Sequence, residues 1–429
     1  MEQFFQLKEH GTDVRTEVIA GITTFMTMAY ILIVNPLILS ETGMDMGALF
    51  TATALASLIA TLVMALVAKL PFALAPGMGL NAFFAYAVVL GMGYSWQFAL
   101  TAVFLEGIIF IVLTFLNVRE AIITSIPSNV KKAISAGIGL FIAFIGFSNA
   151  GIIVQGQGTP LALGDMGNPG VLLAFIGLAI TGLLLARKIK GALLIGIVAA
   201  TIIGIPMGVT NVSNFRVVSA PSSLRPIFFQ FEWTNVFTLD MVVVLFTFLF
   251  VDMFDTVGTL VGVATKAGLI DAKGQVPRAK QALLADSIGT TVGAILGTST
   301  VTTYVESAAG VEEGGRTGLT SLTTAGMFVI ALFLSPLFLM VPGAATAPAL
   351  ILVGLFMLTP IKDIDWADYT ESIPAFLTVI MMPLAYSIAD GIVFGLLGWV
   401  LLKILSGKWK EVGVPTAIVA VVFVLKFFV

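Results

Sequence analysis

The chain has 429 residues, of which 58% are hydrophobic and only 10% are charged, and its formal net charge is −3 at pH 7. A soluble domain carries about 25% charged residues, so this composition excludes an ordinary soluble protein and indicates a polytopic membrane protein. Cysteine is absent, which excludes disulfides and thiolate metal sites.

Apolar segments that are candidate membrane spans follow one another along the chain. Fourteen can be delimited, at 17–39, 47–68, 72–92, 96–116, 130–153, 170–187, 191–208, 239–264, 281–297, 299–314, 318–341, 344–360, 372–388 and 390–406. A further apolar stretch at 414–428 is short for a span, and it fits either an interfacial tail or a fifteenth span. The polar start of the chain leads directly into the first span and shows no cleavable signal pattern.

Lysine and arginine are distributed unevenly among the loops. If the N-terminus is cytoplasmic, only Arg216 and Arg225 fall in outside loops, Lys426 is unassigned, and the rest of the 21 lysines and arginines lie inside. Positive residues concentrate in the cytoplasmic loops of membrane proteins. The bias predicts a multi-pass protein of the cell (plasma) membrane whose N-terminus is cytoplasmic.

The long connector at 209–238 divides the spans into two halves of seven. Because seven is an odd number, the second half enters the membrane in the opposite orientation, as in an inverted repeat. The sequence therefore predicts an all-α polytopic membrane fold with fourteen transmembrane spans arranged as a seven-plus-seven inverted repeat.

The third span of each half has a composition that favours a break. In span 3, LPFALAPGMGLNAFFAY places prolines and glycines before an apolar helix; in span 10, LGTSTVTTYVESAAGV is rich in threonine and valine up to Val305. Threonine and valine favour extended backbone, and proline breaks helices. We therefore expect short extended segments in spans 3 and 10 that continue as half-helices. The alternative is that these residues are packing glycines and a helix kink.

Two acidic residues lie deep in apolar sequence, Asp255 in span 8 and Glu306 in span 10. A charged side chain at the bilayer centre costs about 2.5–3.5 kcal/mol, so such residues usually face a cavity, a partner or a transport path. Asn81 and Glu306 occupy corresponding positions, each just past its break. Extended backbone at membrane depth persists only where it is buried in protein or lines a cavity. Together these features predict a polar site for a small ligand.

Longer strings reinforce this interpretation. They are AGITTFMTMAYILIVNP in span 1, APGMGLNAFFAY in span 3, FDTVGT in span 8, TYVESAAG with GGRTGLT around span 10, PGAATAPALILVG in span 12 and YSIADGIVFG across spans 13 and 14. On these strings the chain resembles the nucleobase–cation symporter family of the nucleobase–ascorbate transporter superfamily, specifically the AzgA-type adenine/guanine/hypoxanthine permeases. The resemblance covers nearly the whole chain.

The resemblance implies a division into core and gate domains with a purine held between them. The core would consist of spans 1–4 (17–116) and 8–11 (239–341), and the gate of spans 5–7 (130–208) and 12–14 (344–406), followed by a hydrophobic tail at 407–429. It also implies a transporter, not an enzyme, that imports purines by proton symport with an elevator-like movement of core against gate. Related transporters of this fold pair as dimers, so a homodimer is expected.

By resemblance, the purine contacts are Glu306, Asp255, Asn81, Gly79, Tyr304, Val305, Thr24 and Phe25. Gly79 would allow close backbone approach, and the extended run ending at Tyr304 and Val305 would supply backbone groups. A carboxylate accepts hydrogen bonds from ring N–H and amino groups, whereas the Asn81 amide both donates and accepts. An unpaired buried polar group costs about 1–3 kcal/mol, so this pattern discriminates among bases.

Proton coupling is expected to involve the same acids, and sodium is the alternative coupling ion, although no dedicated sodium site is evident in the sequence. Burial and a second nearby acid favour the protonated form of a carboxyl group. We hypothesise that Asp255 carries the proton and that Glu306 mainly grips the base, with the opposite or a shared assignment left open. Asp252, three residues before Asp255, is either a second relay group or a structural acid. Glu106 in span 4 is expected to be a structural acid.

Other functions remain open at this stage. An anion exchanger of the same general fold is the first alternative, because half-helix N-termini favour anions, although two acids in the site oppose it. An intramembrane enzyme with Asp255 and Glu306 as a carboxylate pair is the second, and a simple channel is the third. The expected partners are a purine nucleobase, a proton, the lipid bilayer and a second copy of the chain; no nucleic acid, metal or cofactor is expected.

Overall fold

The structure is a computed structural model that describes residues 2–116, 128–156, 158–213, 216–270, 276–413, 416–417, 420–421 and 423–424. Much of the predicted tail at 407–429 therefore lies outside the described residues, and its topology stays open.

The first half is helical apart from three very short strands. Its elements are α1 (Glu2–Phe5), α2 (Val14–Met28), α3 (Ile31–Ser40), α4 (Met46–Val63), the π-helix π1 (Met64–Ala68), β1 (Leu74–Pro76), α5 (Met78–Ala82), the π-helix π2 (Phe83–Gly91), α6 (Trp96–Leu116), α7 (Ser128–Asn149), β2 (Ile153–Val154), β3 (Ala162–Leu163), α8 (Pro169–Ala186) and α9 (Ala192–Gly204).

The second half repeats this pattern of long helices around one short strand. Its elements are α10 (Leu239–Lys266), α11 (Ala279–Leu296), β4 (Val301–Thr303), α12 (Ser307–Glu312), α13 (Gly318–Phe333), α14 (Ser335–Leu339), α15 (Gly343–Leu358), a 3-10 turn (Thr359–Asp363), α16 (Tyr369–Leu384), α17 (Ile388–Leu405) and a second 3-10 turn (Trp409–Glu411).

Polar side chains fix where several helices begin. Asp45 accepts a hydrogen bond from the Ala48 backbone N–H at 2.7 Å, and Thr238 accepts one from the Met241 N–H at 3.2 Å. Such caps satisfy N–H groups that have no partner within the helix. These caps set the first residue of each helix at the boundary between a polar and an apolar segment.

The described residues include eight helical segments that are long and apolar enough to cross a membrane: Val14–Ser40, Met46–Ala68, Trp96–Leu116, Ser128–Asn149, Pro169–Ala186, Leu239–Thr265, Gly343–Asp363 and Ile388–Leu405. Shorter apolar helices occur at Met78–Gly91, Ala192–Gly204 and Gly318–Phe333. A mostly helical polytopic membrane fold is therefore confirmed. The remaining predicted spans coincide with elements outside the group of eight, so the fourteen-span, seven-plus-seven arrangement stays a prediction.

The interruptions expected in spans 3 and 10 are present. β1 pairs with β4 in antiparallel register, with Leu74 opposite Thr303 and Pro76 opposite Val301. The Gly77 N–H donates to the Thr300 carbonyl at 3.0 Å, which extends the pairing by one bond. Because the strands satisfy each other's backbone groups, extended chain survives between the helices. Each strand is followed by a short helix, α5 or α12.

Helix packing divides most of the chain into two groups, and each group takes members from both halves. In the first group, named the α2 bundle, α13 packs on α2 and α4, and α11 packs on α4 and α6; α3, α10, α12 and π2 pack on these helices. In the second, named the α7 bundle, α15 and α16 pack on α7, α17 packs on α16, and α8 and α9 pack on each other and on α15. The predicted bounds of core and gate domains stay a prediction.

Glycine allows a close helix contact inside the α7 bundle. A Cβ atom built on Gly139 of α7 would lie 2.5 Å from the carbonyl oxygen of Gly354 in α15, and one built on Gly354 would lie 2.4 Å from the Gly139 oxygen. Any side chain at either position would force the two backbones apart. Small residues of this kind are how membrane helices gain packing contact where lipid provides no hydrophobic driving force.

Candidate functional site

The paired strands hold the two interrupted spans together and position Glu306. Tyr304 anchors the turn after β4, because its N–H donates to the Ala73 carbonyl at 2.9 Å and its hydroxyl donates to the Pro76 carbonyl at 2.5 Å. Glu306 follows two residues later, immediately before α12, and its side chain is half-buried. The strand pairing thus fixes the place of this carboxyl group relative to β1 and α5.

Tyr30 is the hydrogen-bond donor that holds the Glu306 side chain. Its hydroxyl, between α2 and α3, donates to Glu306 Oε1 at 2.7 Å. Thr27 Oγ1 also lies 3.4 Å from the Glu306 carbonyl oxygen. A bond to an ionised carboxylate is short and strong, so Tyr30 fixes one of the two carboxylate oxygens and leaves the other for a ligand. Sequence reasoning quoted Tyr30 within the span 1 string but assigned it no role.

Asn81 is a buried amide without a hydrogen-bond partner among the described residues. It lies in α5, directly after β1, with 0% of its surface exposed. Neither its side-chain oxygen nor its side-chain nitrogen makes a hydrogen bond within the described structure. Each such group costs about 1–3 kcal/mol. A ligand that offers both an acceptor and a donor would remove that cost.

A cavity of about 740 Å³ lies where the α2 bundle meets the α7 bundle. Its lining includes Gly79, Asp255 and Val305, three of the residues predicted to contact a ligand. The opposite wall comes from α7 and from the end of α15, through residues such as Ile138 and Met357. The volume lies within the range of small-molecule sites, about 300–1,000 Å³. Val305 is 58% exposed, so the turn after β4 faces this space.

The cavity extends to one end of α7. Ser128, Lys131 and Lys132, in the first turns of that helix, belong to its lining, and so does Pro360 after α15. Ser128 is exposed, so the cavity reaches the surface at this end of the molecule. The other predicted contacts, Glu306, Asn81, Tyr304, Thr24 and Phe25, are not part of the described lining.

Gly79 is required where α5 approaches α7. A Cβ atom at this position would lie 2.7 Å from Ile138 Cγ2, closer than real Cβ contacts allow. Gly79 therefore lets α5 pack closely on α7, and the close approach of a ligand to its backbone stays a prediction.

Asp255 and Glu306 belong to one electrostatic environment. Asp255 lines the cavity and is half-buried, and it lies within charge-interaction range of Glu306, Tyr30 and Tyr304. In this low-dielectric region charges interact strongly. Joint action of the two carboxyls on a ligand or a proton stays a prediction.

Asp252 faces a different partner from Asp255. It is fully buried, and its Oδ1 lies 3.1 Å from Thr256 Oγ1. Thr256 Oγ1 also lies 2.9 Å from Asp286 Oδ1, in α11, and 2.8 Å from Thr302 Oγ1, in β4. This group, named the Thr256 network, lies behind β4, outside the described lining of the cavity. Sequence reasoning did not single out Asp286, although an acidic residue within the apolar stretch LLADSIGTTVG was a signal that could have identified it.

Two of the span 1 candidates lie in helix contacts. Thr24 of α2 meets α12, since a Cβ atom on Gly310 would lie 2.1 Å from Thr24 Oγ1. Phe25 packs edge-to-face on Phe328 of α13, with ring centroids 5.3 Å apart. Thr24 thus lies in the contact between α2 and α12, and Phe25 in the contact between α2 and α13. The role of both residues as direct ligand contacts stays a prediction.

Glu106 is bound within the α2 bundle. Its Oε2 accepts a hydrogen bond from Thr300 Oγ1 at 2.6 Å, just before β4. The acid therefore supports the strand that leads to Glu306, in agreement with the structural role expected for it.

Comparison with known proteins gives two consistent results in sequence. The model of the Permease family (Xan_ur_permease) matches residues 15–394. The chain is 46% identical over 439 residues to the guanine/hypoxanthine permease PbuG of Bacillus subtilis, covering 100% of this chain and 99% of PbuG. It is 45% identical over 426 residues to the adenine permease AdeP of Escherichia coli, covering 99% of this chain and 95% of AdeP.

The fold also has a solved counterpart. The transmembrane domain of the cyanobacterial bicarbonate transporter BicA superposes with a TM-score of 0.66 at 15% identity, covering 89% of this chain and 97% of that domain. At this identity the likeness concerns the fold alone. The resemblance noted in the sequence to purine permeases is confirmed at the level of the family.

Proposed function

Since the chain belongs to the Permease family, whose model covers residues 15–394, we propose that it is a secondary active transporter that imports purine nucleobases. Relatives named as adenine permease and as guanine/hypoxanthine permease support this substrate class. The observation that carries the proposal is the buried Asn81 amide, which makes no hydrogen bond to the described part of the chain and lies two residues beyond Gly79 of the cavity lining. Adenine, guanine and hypoxanthine are the candidate substrates.

The proposed binding mode places the base between the two bundles. Asp255 and the free oxygen of Glu306 accept hydrogen bonds from ring N–H or amino groups, while the Asn81 amide donates to and accepts from the purine edge. The backbone at Val305 lies beside the base, in the cavity wall. A ligand lacking one of these groups leaves a buried partner unpaired, which costs about 1–3 kcal/mol.

Proton symport is the proposed coupling, with Asp255 and Glu306 in the site and Asp252 behind it. The number of hydrogens available in the Thr256 network supports a proton bound to one of its two carboxyl groups. The Thr256 hydroxyl carries one hydrogen, yet it contacts a carboxyl oxygen of both Asp252 and Asp286. It can donate to only one of them, so the other contact is a hydrogen bond only if that carboxyl is protonated.

The energetic benefit of such coupling is large. One proton driven by 100 mV contributes about 2.3 kcal/mol. At about 1.4 kcal/mol per tenfold, this corresponds to roughly a fiftyfold accumulation of the base.

The proposed movement is that of the α2 bundle, as a core domain, against the α7 bundle, as a gate domain. With the N-terminus in the cytoplasm, as the loop charges predict, the cavity end that carries Lys131 and Lys132 faces inward. The structure then corresponds to an inward-facing state. A plasma-membrane homodimer belongs to the same proposal.

Uptake into proteoliposomes tests the function. Labelled adenine, guanine and hypoxanthine should accumulate against a gradient in the wild type, and a protonophore should abolish accumulation. Glu306→Gln should lose uptake, whereas Asp165→Asn, a carboxyl change in an exposed loop, should not. Counter-flow of labelled bicarbonate or sulfate with no response to purines would instead support the anion exchanger.

A further inference from the structure

A second contact between the bundles lies at the end of α7 opposite the cavity. Tyr86 Oη donates to Glu41 Oε1 at 2.9 Å. Asn149 Nδ2 donates to the same Glu41 oxygen and to Tyr86 Oη, both at 3.2 Å. The ring of Tyr386 packs edge-to-face on Tyr86 with centroids 5.9 Å apart. These four residues are named the clasp.

The hydrogen bonds of the clasp cross from one bundle to the other. Glu41 follows α3 and Tyr86 lies in π2, so both belong to the α2 bundle. Asn149 is the last residue of α7, and Tyr386 connects α16 to α17, so both belong to the α7 bundle. The Asn149 amide donates across the boundary to the Glu41 carboxyl and to the Tyr86 phenol. Separation of the bundles at this end must break both hydrogen bonds.

Tyr386 is held in the clasp at a conformational cost. Its backbone has φ of 55°, in the left-handed region, where a residue with a Cβ atom is strained by about 1–2 kcal/mol. Its ring also contacts Phe141 at 5.4 Å and Phe144 at 5.7 Å, both on α7. The strained backbone conformation positions the Tyr386 ring beside the hydrogen bonds, where we call it the plug. Strained residues cluster at functional sites.

Glu41 lies at the exposed edge of the clasp. Burial raises the pKa of Glu41, while the hydrogen bonds from Tyr86 and Asn149 oppose that rise. The two hydrogen bonds therefore favour the ionised form of this carboxyl.

The clasp and the cavity lie at opposite ends of one helix. α7 has 22 residues, so its length is roughly 33 Å, with the cavity at Ser128 and the clasp at Asn149. The α2 and α7 bundles therefore touch at the clasp and are separated by the cavity at the other end. This arrangement is one of the two states that alternating access requires.

We propose that Glu41, Tyr86 and Asn149, with Tyr386 as the plug, form the outer gate of the transport path. This inference rests on the proposed movement of the two bundles. Their hydrogen bonds hold the state whose cavity opens at Lys131, and they break when the site opens at the other side. Weakening them shifts the population of the two states away from the one described here.

The absence of cysteine makes a direct test possible. Ser135→Cys places a single thiol in the cavity wall, and its rate of reaction with a membrane-impermeant maleimide, applied from the side of the Lys131 end, reports how often the cavity is open. Tyr86→Phe and Asn149→Ala in this background should each lower the ratio of cavity-open to cavity-closed protein about fivefold, which is measured as a slower labelling rate. The fall reflects the lost hydrogen bonds, at about 1.4 kcal/mol per tenfold change in population.

Tyr94→Phe is the matched control. Its hydroxyl also donates to a carboxylate, Asp240 Oδ2 at 2.6 Å, but both residues adjoin α6 and α10 within the α2 bundle. This change should leave the labelling rate of Ser135→Cys at the reference value. Melting temperatures of the purified variants identify any that are misfolded.

Two outcomes overturn the inference: an unchanged labelling rate in both Tyr86→Phe and Asn149→Ala, or an equal fall in Tyr94→Phe. Failure of the proposed function gives a different pattern. If purines are not the substrates, uptake is absent in the reference protein while the labelling rates still respond to the clasp.

Discussion

The hydrogen bond from Tyr30 to Glu306 should determine how well the site binds a purine. At 2.7 Å it joins a buried phenol to the carboxylate that we assign to the base. Hydrogen bonds to charged groups are worth about 1.5–3 kcal/mol. Without the phenol hydroxyl in Tyr30→Phe, Glu306 loses its fixed orientation and must be ordered by the ligand itself.

The size of the effect follows from that energy. At about 1.4 kcal/mol per tenfold, loss of 1.5–3 kcal/mol corresponds to an increase of about 10- to 150-fold in Kd. Equilibrium binding of labelled hypoxanthine to the purified protein measures this change, and the melting temperature of the ligand-free variant shows whether the fold is retained. Tyr94→Phe, which removes a phenol–carboxylate bond elsewhere, serves as the control.

One combination of results would refute this reasoning. If Tyr30→Phe bound hypoxanthine within twofold of the wild type while Glu306→Gln lost binding, orientation by Tyr30 would not contribute to recognition. The carboxylate would then have to be positioned by the backbone alone.

Further changes test the other parts of the site. Asn81→Leu should weaken hypoxanthine binding at least tenfold in an equilibrium binding assay. It should not lower the melting temperature of the ligand-free protein, measured by calorimetry, because it removes a buried amide that makes no hydrogen bond within the described structure. Gly79→Ala should slow uptake severalfold, because the added Cβ atom would lie 2.7 Å from Ile138 Cγ2. Adding Ile138→Ala should restore most of the uptake rate. If the double variant stays slow, the contact between residues 79 and 138 is not the cause. Asp286→Asn should abolish accumulation of the base in a pH gradient while exchange of base for base continues, and an unchanged accumulation ratio would exclude the Thr256 network from coupling.

The local interruptions of the helices could be predicted from the sequence because they depend on local chemistry. Prolines before Gly77 and the threonine–valine run before Tyr304 disfavour helix regardless of what surrounds them. The two segments also occupy corresponding positions in the two halves of the chain. The observed pairing of Leu74 with Thr303 is the physical reason that both remain extended.

The partners of the site residues could not be predicted in the same way. Tyr30 and Glu306 are 276 positions apart, and only the packing of α2 against α12 brings them together. Asp252 and Asp255 are three residues apart, which leaves about 60° between them around a helix of 3.6 residues per turn. That angle is enough for Asp255 to line the cavity while Asp252 meets Thr256.

The clasp shows the same limit. Glu41, Asn149 and Tyr386 each lie at the end of a helix, where polar residues are common, and no spacing in the sequence connects them. Only the arrangement of two helical groups drawn from both halves makes them neighbours.

A cryo-electron microscopy map of the protein with hypoxanthine bound tests the central claim most directly. The account predicts density for the bicyclic base in the cavity wall formed by Gly79 and Val305, within hydrogen-bond distance of Asn81 and of the acids Asp255 and Glu306. Density for the base at another place, with the Asn81 amide still without a partner, would contradict it.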